Sequence, residues 1–199
     1  MTHKIVLVTN NEKKCKELES LLNNPQLTVK RYSDIIGKTL DIEETGDTFE
    51  ENAIIKAKAL LTYPQQIKNC IIVADDSGIE VDALNKEPGV YSARYGGPDL
   101  DDEGRCQYLL KNLGNSSNRN ARFRCVIATI INQELKLYTG SVEGQIAHSI
   151  EGEKGFGYDP IFIPEGYTQS FAQLDYSIKS SISHRAKALE KFKEFISPK

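Results

Sequence analysis

A chain of 199 residues, 39% hydrophobic and 27% charged, has the make-up of one soluble globular domain, or of two lobes sharing a core. A net charge of −3 and a pI near 5.7 exclude a large sequence-independent nucleic-acid surface, and no run approaches the ~20 apolar residues of a membrane span. Four cysteines without a C-x-x-C pair, and only three histidines, exclude a zinc site of ordinary spacing and predict reduced thiols on core or helix faces.

The N-terminal Met1-Thr-His-Lys leads straight into Ile5–Val8, which reads as a short buried strand. Four apolar residues are too few for a secretory signal, so the expected address is the cytoplasm, with no membrane partner. A helical pattern opens at Asn10-Asn-Glu, with Cys15, Leu18, Leu21 and Leu22 at helical spacing and a stop near Asn23-Asn-Pro25. Thr28–Tyr32 reads as a second strand. The polar loop Glu43–Asp47 precedes Thr48-Phe-Glu-Glu51, a capping box for a helix with Ala53, Ile54, Ala57, Leu60 and Leu61 on its apolar side.

Cys70–Ala74 is a continuous apolar run, as in a strand buried on both faces, and it is expected to end at Asp75-Asp-Ser-Gly78. Ile79–Leu84 reads as further strand or a short helix. A turn-rich stretch over 88–98 and a helix over Glu103–Leu113 follow. Arg122–Ile131 and Glu134–Ala147 suggest paired strands. Gly152–Gly157 reads as a loop, Ile161–Ile163 as a short strand. A last helix starts after Ser183 and buries Leu189, Phe192 and Ile196. The fold class is therefore α/β, with helices early and late and a β-rich middle.

Several constellations point to chemistry. Thr9-Asn10-Asn11-Glu12-Lys13-Lys14 sits where a strand gives way to a helix, whose first N–H groups are open and partly positive. Lysines there oppose the helix dipole unless an anion, such as a phosphate, lies between them. Asp75 and Asp76 follow a buried strand, and alternation turns one toward a site while the other supports it. Such a carboxylate can hold Mg²⁺ or accept a proton from water. Were Glu44 to approach the aspartates, an oxygen cage for Mg²⁺ would form. Lys56, on the same helix side as Asn52, would then meet a phosphate. Phe156, between two glycines, reads as an aromatic exposed by a flexible loop and able to stack on a base. Lys179, with His184 and Arg185 behind the natural N-cap Ser183, forms a second cationic helix start.

These motifs, in this order, resemble the inosine triphosphate pyrophosphatase family, the non-standard purine nucleoside triphosphate pyrophosphatases. The likeness runs from Val8 to about Leu189. Its most specific parts are Ala74-Asp-Asp-Ser-Gly78, Pro88-Gly-Val-Tyr-Ser-Ala-Arg94, Gly155-Phe-Gly-Tyr-Asp-Pro160 and Ile182-Ser-His-Arg185. The resemblance implies an elongated mixed sheet with helices forming two lobes around a substrate cleft, one such domain over residues 1–199, and a homodimer. It implies hydrolysis of ITP, dITP and XTP to the monophosphate and pyrophosphate, which clears deaminated purines from the nucleotide pool. By position, Thr9, Asn10, Asn11, Glu12, Lys13 and Lys14 would hold substrate, and Lys56 would sit near the phosphates. Glu44 and Asp76 would bind Mg²⁺. Asp76 would also accept the proton, supported by Asp75. Ser77 would touch substrate, and Phe156, Gly157, Tyr158, Asp159, Lys179, His184 and Arg185 would define the base pocket. One departure stands out: Asn10 occupies a position where the bacterial pattern has glycine, and Asn is expected to tolerate the left-handed backbone there. The rival readings are a pyrophosphatase for another modified nucleotide and a non-catalytic nucleotide-binding protein.

Overall fold

The computed structural model describes residues 3–196; Met1 and Thr2, part of the N-terminal stretch read above, lie outside the described residues. The strands are β1 (His3–Val8), β2 (Leu27–Arg31), β3 (Cys70–Val81), β4 (Asn120–Ile131), β5 (Glu134–Ile146) and β6 (Phe162–Pro164). They form a six-stranded sheet in the order β2-β1-β3-β4-β5-β6. It is mixed, since β1 runs parallel to β2 and β3 while β5 and β6 are antiparallel. The helices are α1 (Glu12–Leu21), α2 (Tyr32–Ile36), α3 (Phe49–Ala59), α4 (Asp102–Leu113), α5 (Tyr176–Ile182) and α6 (His184–Ile196).

The described residues cluster into two compact units, the first of residues up to 76, 125–139 and from 188 on, the other of 77–124 and 140–187. The first unit has its own core: Ile5, Leu7, Ile71, Val73, Cys125 and Ile127 on alternate strand positions, met by Cys15, Leu18, Leu22, Leu189 and Phe192. Ile196 packs against it only in part. Val6, Val8, Ile72 and Ala74 are buried too, so both faces of these strands are covered, as their unbroken apolar runs predict. The second unit is built around Ile79, Val81, Leu109, Phe123, Ile161, Phe162 and Phe171. Phe123 and Phe162 meet edge to face with centroids 4.7 Å apart, the arrangement favoured by the ring quadrupoles. All four cysteines are free thiols, three of them buried.

Two expectations need correction. The strand that carries the aspartates does not stop at Asp75. β3 continues to Val81, because Asp75 and Asp76 each find a cation and so can stay inside the sheet. On the inward face of α3, Ala53, Ala57 and Leu60 are buried as read, but Ile54 is only half-buried and Leu61 is exposed. Phe49, Asn52 and Lys56 take the remaining inward places. The polar members take that face because they have bonding partners there. The short helices α2 and α5 were not legible as apolar periodicity. The capping box is present as read: Glu51 N donates to Thr48 Oγ1 at 3.1 Å, and Thr48 N donates back to Glu51 Oε2 at 3.2 Å.

Candidate active site

In the first unit, β1 leaves the sheet after Val8, which pairs with Ala74 of β3. The next residues, Thr9 onward, therefore emerge level with Asp75 and Asp76. Asn11 caps α1, its Oδ1 accepting from Lys13 N at 3.0 Å and Lys14 N at 3.1 Å, while Asn11 N donates to Thr9 Oγ1 at 3.1 Å. The open amides expected at this helix start are thus partly taken by the chain's own cap. The conflict between Lys14 and the helix dipole is resolved by a protein anion: Lys14 Nζ lies 2.7 Å from Asp75 Oδ1, on a side chain with 0% exposure. Cys125 Sγ donates to the other oxygen, Oδ2, at 3.0 Å. Glu12 faces Arg31 at 3.7 Å, and the exposed Lys13 follows it on α1.

Asp76 points to the opposite face of β3 from Asp75, as alternation predicts. Its Oδ1 lies 2.6 Å from Lys56 Nζ, which also reaches Glu44 Oε1 at 3.1 Å. Asp76 Oδ2 is buried and has no hydrogen-bond partner among the described residues. Burial pushes the Asp76 carboxyl above its ordinary range, against the lowering influence of Lys56 and Lys14. Burial alone would lower Lys56, but Asp76, Glu44 and Asp75 outweigh it and hold the ammonium charged. Among the described residues, no three His, Cys, Asp or Glu side chains converge as a preformed metal cage. The Lys56 ammonium bridges Glu44 and Asp76 instead.

In the second unit, a separate group gathers around the loop Gly155–Asp159. Asp159 Oδ2 accepts from Phe156 N at 2.8 Å and from Lys179 Nζ of α5. Gly155 is needed here: its φ is +80°, and an added Cβ would stand 2.1 Å from that same carboxylate oxygen. Lys179 Nζ sits 4.9 Å from the centre of the Phe156 ring, and the Arg185 guanidinium 5.9 Å from it. Arg185, only 2% exposed, donates to Ser77 Oγ at 2.9 Å. His184 stacks on Phe123 with centroids 4.8 Å apart.

Phe156 is not on a flexible loop. It is half-buried, and its neighbours are tied down: Gly157 N donates to Asp102 Oδ2 at 3.0 Å, and Cys106 Sγ to Gly157 O at 3.3 Å. Tyr158 is a core residue whose hydroxyl donates to Ser92 O at 2.8 Å, and burial pushes that hydroxyl's pKa up. Sequence reasoning missed Asp102, Cys106, Ser92 and Cys125. Their roles depend on partners far along the chain, and no local pattern marks them.

Asn10 is also placed differently from expectation. It is not among the residues with positive φ, so no left-handed tolerance is called on. Its side chain turns to Tyr32 and Leu40. A groove of about 450 Å³ in the second unit, around Arg122, Glu143 and Tyr167, includes none of the residues read as functional from the sequence.

Known proteins match nearly the whole chain. The Ham1 family model matches residues 5–195. The dITP/XTP pyrophosphatase of Bacillus licheniformis is 45% identical over 190 residues, covering 94% of each chain. That of Bacillus subtilis is 44% identical, covering 96% of each. Among solved structures, the Ham1 protein of Staphylococcus aureus is 43% identical with a TM-score of 0.84, covering 97% of each chain. A HAM1 protein from Coxiella burnetii is 39% identical with a TM-score of 0.86, covering 98% of each.

Proposed function

Because the chain belongs to the Ham1 family, we propose that it hydrolyses deaminated purine nucleoside triphosphates (ITP, dITP and XTP) to the monophosphate and pyrophosphate. The observation that carries this reading is Asp76: a buried carboxylate with one oxygen on Lys56 and the other without a hydrogen-bond partner among the described residues. A water beside Oδ2 gives its proton to that oxygen. The water oxygen bonds to the α-phosphorus as the bond to the α–β bridging oxygen breaks, and pyrophosphate leaves with that electron pair. Lys56 and Lys14 stabilise the charge on the phosphates. Asp75 orients Lys14, its two oxygens already engaged by the Lys14 ammonium and the Cys125 thiol.

Mg²⁺ is the proposed cofactor, held by Glu44 and Asp76. The donor chemistry fits, since both side chains offer hard oxygen ligands and Lys56 already draws the two carboxylates to one point. A preformed cage is not required, because this ion is usually held by one or two carboxylates plus substrate phosphates. When bound, it neutralises phosphate charge and polarises the phosphoryl oxygens.

The purine is assigned to the group around Phe156. The ring offers a stacking face, and Arg185 and Lys179 supply donors only. A 6-oxo purine rewards such donors, whereas the 6-amino group of adenine would face them unpaired. The homodimer and the cytoplasmic setting are proposed on the family likeness, with no nucleic-acid or membrane partner. The test is a panel of ITP, XTP, GTP, ATP and dTTP with Mg²⁺ or EDTA, run beside Asp76→Asn. Turnover of ITP and XTP but little of ATP, lost in EDTA and in the variant, supports the reading. Preferred turnover of dTTP would replace its substrate, and binding without turnover would replace it with a nucleotide-binding role.

A further inference from the structure

The segment that carries Glu44 has no helix or strand of its own; the backbone runs irregularly from Lys38 to Thr48. Such a stretch holds its course only through individual bonds. Two of its residues, Leu40 and Gly46, have both their N–H and their C=O taken by side chains. Gly46 N donates to Asn52 Oδ1 at 2.8 Å, and Asn52 Nδ2 donates to Gly46 O at 3.2 Å. Asn52 is fully buried on α3. Leu40 N donates to the Tyr32 hydroxyl at 2.9 Å, and Asn10 Nδ2 donates to Leu40 O at 3.0 Å. The Tyr32 hydroxyl donates in turn to Asn10 Oδ1, which closes a ring.

Strand register delivers these partners to one another. Leu7 pairs with Arg31, so Tyr32 stands level with Val8, two residues before Asn10. The Tyr32 hydroxyl also lies 3.4 Å from Leu40 O, but its one proton serves the nearer Asn10 Oδ1, so the Asn10 amide is the main donor to the Leu40 carbonyl. Only an amide offers acceptor and donor together at this reach. Aspartate loses the donor, and glycine loses both. Glu44 lies between the two clamped residues, with Lys56 Nζ 3.1 Å from its carboxylate.

We propose that Asn10 and Tyr32 are positioning residues for Glu44: their ring on Leu40, with Asn52 on Gly46, brackets Glu44 and holds its carboxylate beside Lys56 and Asp76. This rests on the reading of Glu44 and Asp76 as the carboxylates of the reaction. It also gives Asn10 a task other than touching substrate.

A double-mutant cycle tests it, with kcat/KM for ITP measured in Asn10→Gly, Tyr32→Phe, Glu44→Gln and the two doubles. Asn10→Gly and Tyr32→Phe are each expected to lower kcat/KM about tenfold in the parent but no more than about twofold once Glu44 is Gln. A merely structural role gives the same loss in both backgrounds, and that result overturns the proposal. Full activity in Glu44→Gln would instead remove the role given to Glu44, and the proposal with it. A second readout needs no turnover: hydrogen exchange at the Leu40 amide should rise about tenfold or more in Tyr32→Phe, while Gly46 stays protected. Unchanged exchange at Leu40 overturns the clamp itself.

Discussion

Lys14 and Asp75 are paired at 2.7 Å, with the carboxylate wholly buried and the ammonium on the first turn of α1. A lysine at that end of a helix opposes the dipole. Asp75→Ala would leave it uncompensated, and would leave the Cys125 thiol without its acceptor. Breaking a fully buried pair costs roughly 3–5 kcal/mol, but Lys14 keeps some access to water, so ~2 kcal/mol is expected. Urea unfolding of the variant measures it. A loss below a few tenths would show that the pair contributes nothing.

Gly155→Ala should disable the purine group while sparing the phosphate group. The new Cβ meets Asp159 Oδ2 at 2.1 Å, at a φ that alanine adopts only with strain. Asp159 then releases Phe156 N or Lys179. The expected result is a KM for ITP raised about tenfold or more, with a stability loss of ~1–2 kcal/mol. Unchanged KM would detach Phe156 from base binding.

Arg185→Lys keeps the charge but loses the fork that reaches Ser77 while lying over Phe156. The ratio of kcat/KM for ITP over ATP should fall about tenfold, mostly through a lower value for ITP. An unchanged ratio would assign selection of the 6-oxo group to another donor.

The thiols should separate by reactivity. Burial pushes Cys15 and Cys106 up to about 12, so almost none of either is thiolate at pH 8. Cys70, the one cysteine that is not buried, should be alkylated first in the native protein. Cys15 and Cys106 should react only after unfolding, or as pH rises toward their own values. Rapid native labelling of Cys106 would contradict its bond to Gly157.

What could be read from the sequence was what neighbours along the chain decide. The capping box on α3 needs only Thr48 and Glu51, and the buried runs Ile5–Val8 and Cys70–Ala74 declare themselves by composition. The acids 75 and 76 were legible as a pair with divided tasks, because alternation alone separates their faces. Their partners were not. That Asp75 binds Lys14 and Cys125, and that β3 continues beyond it, follows from the pairing of Val8 with Ala74 and from β4. The clamp on Leu40 was equally hidden. Tyr32 reads as the end of a strand, and Asn10 as a glycine substitute, until register brings them together.

Attack by water at the α-phosphorus is tested most directly by following the oxygen of the solvent into the products. Purified protein would turn over ITP with Mg²⁺ in H₂¹⁸O, followed by ³¹P NMR and mass spectrometry. The expected products are IMP carrying the ¹⁸O and unlabelled pyrophosphate, with no orthophosphate. Labelled orthophosphate with inosine diphosphate would mean attack at the γ-phosphorus and would contradict the role given to Asp76.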